Sequence, residues 1–125
     1  MTGISYTYLG YYYLRWGQYS MADQSFRKAH ASLGSDAGTT VTFELFCGFI
    51  ELFKTTKDVQ SVNQYYEEAI ALVKGDDIIS DHDWQILLGY SIWLVQQEEY
   101  SHSLGYIWEA IDNIKDVLYK NSLLK

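Results

Sequence analysis

Few residues in this chain combine a reactive type with a spacing that chemistry can use. Asp81-His82-Asp83 offers metal-ligating atoms, yet consecutive residues opening a helix point in different directions, and acids at a helix start are favoured by the backbone dipole alone. His30 and His102 belong to no metal-site pattern. The acidic pairs Glu67-Glu68 and Glu98-Glu99 read as solvated faces or turns. Cys47 carries no signature of an activated thiol and reads as packed. No phosphate loop, nucleophile elbow or metalloprotease helix is present. The expectation is a protein with no catalytic residues, no metal and no cofactor, which is not an enzyme.

Composition narrows the class further. The 125 residues suffice for one domain with a buried core, and proline is absent, so long helices can run without interruption. Aromatic residues make up 17%, with 12 tyrosines, far more than a disordered chain carries. A tyrosine buries its ring and keeps its hydroxyl at a wet edge, which suits helix seams and binding surfaces equally. The single cysteine rules out an internal disulfide and a cysteine-based zinc site. The amino end lacks the basic start and small-residue cleavage site of a leader, and no uncharged apolar run reaches the ~18 residues of a membrane span. The expected setting is cytoplasmic, away from membranes.

The net charge of −7 is unevenly distributed. Residues 58–100 hold nine acids against Lys74 alone, whereas the first 36 residues come to +1. That balance argues against nucleic acid as a partner, which would need basic stripes. The acidic middle reads as solubility, with attraction of a basic partner as the alternative.

What must position any functional residue is a pattern written three times. Tyr6, Leu9, Gly10, Tyr13, Tyr19, Ala22, Phe26 and Ala29 form the first copy. Phe46, Phe49, Ile50, Phe53, Val59, Val62, Tyr66 and Ala69 form the second, and Leu87, Tyr90, Ser91, Leu94, Tyr100, Ser103, Ile107 and Ala110 the third. The internal steps are identical, and the copies start 40 and then 41 residues apart. A fixed period in this range marks a stacked repeat architecture. The spacings of three and four predict six helices, over about 5–16, 19–33, 40–55, 59–74, 81–97 and 100–119. Short breaks at 16–19, 56–59 and 97–100 force antiparallel neighbours. Gly34 and Gly75 are candidate left-handed caps, and Ser80 with Asp83 a candidate capping box.

These spacings resemble tetratricopeptide repeats. The first copy matches closely, with Leu9-Gly10, Tyr13, Gly17, Tyr19, Ala22, Phe26 and Ala29. The others depart from the pattern: Ile50 replaces the helix-A glycine, Lys57 and Glu98 the turn glycine, and Val62 and Ser103 the first helix-B alanine. The resemblance implies an all-α, helical-repeat solenoid of three antiparallel helix pairs, a right-handed superhelix forming a single domain over 1–125, with repeats at about 4–37, 38–79 and 80–125.

It also implies a groove formed by the inner faces of the first helix of each pair. That face would present Tyr8, Tyr11 and Arg15, then Glu44, Cys47 and Glu51, then Gln85, Leu88, Ile92 and Gln96. A mixed apolar and polar groove suits an extended segment or an amphipathic helix. Family members that grip a chaperone's terminal carboxylate need a basic surface, and Glu44 and Glu51 would repel that ligand. The longer period is similar to that of kinesin light chains and bacterial peptide-sensing regulators, although Asn63, Asn113 and Asn121 all fall on the second helix of a pair.

The two ends of the chain complete the expectation. Tyr6, Tyr8, Tyr11, Tyr12, Tyr13 and Trp16 surround the first helix, and Ile107, Ala110, Ile111, Ile114, Val117, Leu118 and Leu124 run an apolar stripe towards the other end. Repeat arrays need polar caps, and neither end carries one. Self-association as a homodimer or larger homo-oligomer, a place in a larger assembly, or truncation from a longer solenoid would each cover these faces. The leading expectation is a protein- or peptide-binding scaffold that self-associates through its terminal helices. The alternative is a signalling-peptide or small-ligand receptor domain of a larger bacterial regulator, and a third is an accessory enzyme subunit.

Overall fold

A computed structural model describes residues 2–33, 38–74 and 81–123. Within them the chain is all-α, with α1 at Gly3–Arg15, α2 at Tyr19–Leu33, α3 at Thr39–Thr55, α4 at Val59–Lys74, α5 at Asp81–Gln96 and α6 at Tyr100–Leu123. The expected boundaries hold to within a few residues. α1 starts two residues early because the Thr2 hydroxyl accepts from the Ser5 N–H at 3.1 Å and caps the first turn. The glycine caps at Gly34 and Gly75 and the Ser80 capping box fall outside the described residues. No helix among the described residues is long and apolar enough to cross a membrane.

The chain forms two compact units, Met1–Leu72 and Val73–Lys125. In the first, α1 and α2 pack as an antiparallel pair and α3 lies against both. The core is Ala22, Phe26, Ala29, Leu45, Phe49 and Leu52, with Tyr6, Tyr11, Tyr13, Leu14, Leu33, Phe53 and Tyr65 closing round it. Two glycines make this packing possible. A methyl group at Gly10 of α1 would stand 2.4 Å from the Phe26 ring, and one at Gly48 of α3 would stand 2.7 Å from it. The ring is therefore held between two bare stretches of helix backbone. α4 joins through Tyr65, stacked on Phe49 with centroids 4.5 Å apart, and through Tyr66, whose hydroxyl accepts a hydrogen bond from the Lys54 ammonium.

In the second unit α5 and α6 form one antiparallel pair. Ser91 and Ser103 occupy the crossing where the first pair has Gly10 and Ala22. Both are buried, and both hydroxyls find acceptors: Ser91 Oγ donates to the Leu87 carbonyl at 2.8 Å and Ser103 Oγ to the Ser91 carbonyl at 2.9 Å. Small polar side chains are tolerated at so close a crossing because both are satisfied, Ser91 within α5 and Ser103 across to it.

The three tight turns share one geometry. Gly17, Lys57 and Glu98 have φ of 75°, 61° and 63°. Each donates its N–H three residues back, to Leu14, Lys54 and Val95, and the next residue donates five back, to Tyr13, Phe53 and Leu94. This is the same left-handed helix stop each time, and its recurrence places Lys57 and Glu98 where the first copy has glycine. A side chain in this conformation is strained by about 1–2 kcal/mol, partly offset by glycine's greater freedom in the unfolded chain. Lys57→Gly and Glu98→Gly should each raise stability by about 0.5–1 kcal/mol, and Gly17→Ala should lower it by a similar amount. Urea unfolding of the three variants checks the signs.

Candidate binding surface

α1 divides its aromatic residues between two tasks. Tyr6, Tyr11 and Tyr13 pack onto the core of the first unit. Tyr8 and Tyr12, with Trp16 at the helix's C-cap, remain 58%, 56% and 67% exposed. The helix thus has an inner and an outer face, although its sequence is aromatic all round.

A cleft of about 430 Å³ lies in the first unit, lined by Tyr8, Tyr11, Tyr12, Leu14 and Arg15 from α1 and Glu51 from α3. Four of the expected groove residues meet here: Tyr8, Tyr11, Arg15 and Glu51. Tyr12 and Leu14 join them, and the repeat pattern gave no signal for either as a lining residue.

Tyr11 has a second role. Its hydroxyl donates to the Glu44 backbone carbonyl at 2.6 Å, and its ring meets Phe26 edge-on with centroids 5.4 Å apart. Burial pushes its hydroxyl far above the ordinary tyrosine range, and Cys47 and Glu51 nearby act in the same direction. It stays protonated and keeps donating, so Tyr11 ties α1 to α3 while it walls the cleft. Truncating it would disturb the fold as well as any binding.

Cys47 is half-buried on α3. Burial pushes its thiol up to about 11, and Glu51 and Glu44 add to the shift. A thiol held neutral at physiological pH is a poor nucleophile and a poor metal ligand. Glu44 is half-buried and contributes its carbonyl to Tyr11. Neither Glu44 nor Cys47 lines the cleft.

In the second unit, Leu88, Ile92 and Gln96 line a separate apolar cleft of about 420 Å³ with Ser91, Val95 and Ile107. Gln85 is exposed outside it. The side chains of Asp81, His82 and Asp83 lie outside the described residues. Among the described residues no group of three or more His, Cys, Asp or Glu is arranged to hold a metal ion.

A third depression of about 330 Å³ on the first unit was not anticipated. Arg27, His30 and Ala31 of α2 border it, over Phe49 and Tyr65. Arg27 is held there by Asp23, one turn earlier, through a 3.0 Å ion pair. Compared with known proteins, the chain matches no family model, no curated sequence and no solved structure.

Proposed function

We propose that this chain is a tetratricopeptide-like binding module that takes a peptide or a helix of a partner protein and performs no chemistry itself. The observation that carries this reading is the α1/α3 cleft, where exposed tyrosine rings stand beside one charge of each sign, Arg15 and Glu51. Rings with polar tips supply contact area at low entropic cost, and the two charges fix the direction of a bound segment. A ligand suited to it carries an apolar side chain for Tyr8 and Tyr12, an acidic group for Arg15 and a basic or amide group for Glu51. The cleft's dipolar lining also separates this reading from capture of a bare carboxylate, which Glu51 would oppose.

The test is selection of peptides from a random displayed library on the full chain, followed by titration of one selected peptide. Arg15→Ala and Glu51→Ala should each weaken binding by about tenfold and leave the melting temperature unchanged, because both side chains are exposed. Equal affinity for both variants and the parent chain would place the site elsewhere. Stabilisation by a small metabolite with no peptide selected would favour the receptor alternative.

A further inference from the structure

The first unit covers with α3 a face that the second unit leaves open. α3 lies across α1 and α2, with Gly48 against the Phe26 ring and the Glu44 carbonyl bonded to Tyr11. The repeat register places Ile92 and Val95 of α5 where α1 has Tyr11 and Leu14, and Ile107 of α6 where α2 has Phe26. These three residues line the apolar cleft of the second unit, and Ile92 and Val95 remain 60% and 44% exposed. Isoleucine is smaller than phenylalanine, so this face lacks the ring that fills its counterpart, and a cleft of about 420 Å³ stands open.

The same register names a helix that would complement it. In α3 the covering residues include Gly48 and Leu52; α1 has Tyr8 and Tyr12 at the equivalent positions, both exposed. Within the first unit the receiving face supplies the ring and the covering helix supplies a glycine. With α1 on α5 and α6 the receiving face would supply an isoleucine and the covering helix a tyrosine ring. The ring then comes from the covering helix instead of the receiving face, and the open cleft of about 420 Å³ gives the larger pair of side chains room.

Charge selects the same pairing. α1 and α2 carry Arg15, Arg27 and Lys28 against Asp23 alone, whereas α5 and α6 carry five acids against Lys115 and Lys120. Unlike ends attract, and two copies of either end repel. We propose that the chain self-associates head to tail, with α1 of one copy laid on the α5/α6 face of another and the Tyr8 ring seated among Ile92, Val95 and Ile107. Such a contact is heterologous, so it propagates until it closes into a ring or stops at a blocked end. The contact shares Tyr8 and Tyr12 with the peptide cleft, but its test contains no peptide and does not touch Arg15 or Glu51, so either reading can fail alone.

The experiment is light scattering on a sizing column, with the full chain diluted from near-millimolar to micromolar. The wild type should show a mass that rises with concentration beyond a dimer. Tyr8→Lys blocks the head and Val95→Lys blocks the tail, each at an exposed position, and each variant alone should associate at least about tenfold more weakly. Mixed in equal amounts, the two should form a one-to-one dimer and nothing larger, because one intact head then meets one intact tail. Tyr12→Lys with Ile92→Lys gives a second pair, used if circular dichroism finds either first variant unfolded. A wild type that stays monomeric throughout, a mixture that stays monomeric, or a two-fold dimer unaffected by one of the blocks would each overturn the proposal.

Discussion

Phe26→Ala should lower the unfolding free energy of the first unit by about 3–5 kcal/mol. The ring is fully buried, and it touches four residues of α1 and α3 at once. Gly10 lies on one side and Gly48 on the other, Tyr11 meets its face edge-on, and Phe49 sits 5.5 Å away between centroids. Removing it leaves a void bounded on two sides by helix backbone, which cannot collapse as side chains can. The loss therefore falls at the upper part of the usual range for aromatic deletions. Denaturant unfolding monitored at 222 nm reads it directly, and a loss below about 2 kcal/mol would mean that the helices close over the gap.

Adding a single methyl group next to that ring should be nearly as informative. Gly10→Ala and Gly48→Ala each gain about 1 kcal/mol of helix propensity, and each drives a carbon into the Phe26 ring. The distances of 2.4 and 2.7 Å are far inside van der Waals contact, and a ring with no exposed surface has nowhere to move. Overpacking of this kind costs about 1–3 kcal/mol and outweighs the propensity gain. The sign should reverse once the ring is gone. In a Phe26→Ala background both substitutions should stabilise, because the methyl groups enter the void and the helix gain remains. A double-mutant cycle reads the reversal; the same sign in both backgrounds would mean that the contact is not what constrains the glycines.

The stability of the first unit and the proposed association are linked through these residues. Phe26 and Gly48 make the intramolecular joint on which the head-to-tail contact is patterned, so a change that loosens one tests the packing logic of the other. Ile107→Phe would place a ring in the cleft of the second unit and exclude Tyr8 from it.

The arrangement of small and large residues within a pair was legible in the sequence. Gly10, Ala22 and Ala29 around Phe26 recur as Ser91, Ser103 and Ala110 around Ile107 because a close helix crossing admits only small side chains. The turns were legible too, since a three-residue reversal between helices has few solutions. Even Lys57 and Glu98 could be placed in the turn-glycine position by counting alone, and their positive φ agrees.

The candidate cleft was only half legible. Arg15 and Glu51 sit where the repeat register puts them, whereas Cys47 and Glu44 do not line the cleft, because helical spacing gives a residue's direction and not the depth of its neighbours. Gly48 carried no signal, since a lone glycine inside a helix announces a close approach without saying what approaches. The bond from Tyr11 to the Glu44 carbonyl spans 33 residues, a distance over which no local rule applies.

What the sequence determined by itself is therefore periodic and local: the helices, their reversals and the small residues at each crossing, all set by steps of three and four. What only the tertiary structure decided is which of the five tyrosines on α1 face inward, what approaches Gly48 of α3, and which apolar face is left open. Those outcomes depend on how side chains from separate helices share one volume. Packing is a property of the neighbours together, and no residue's own type records it.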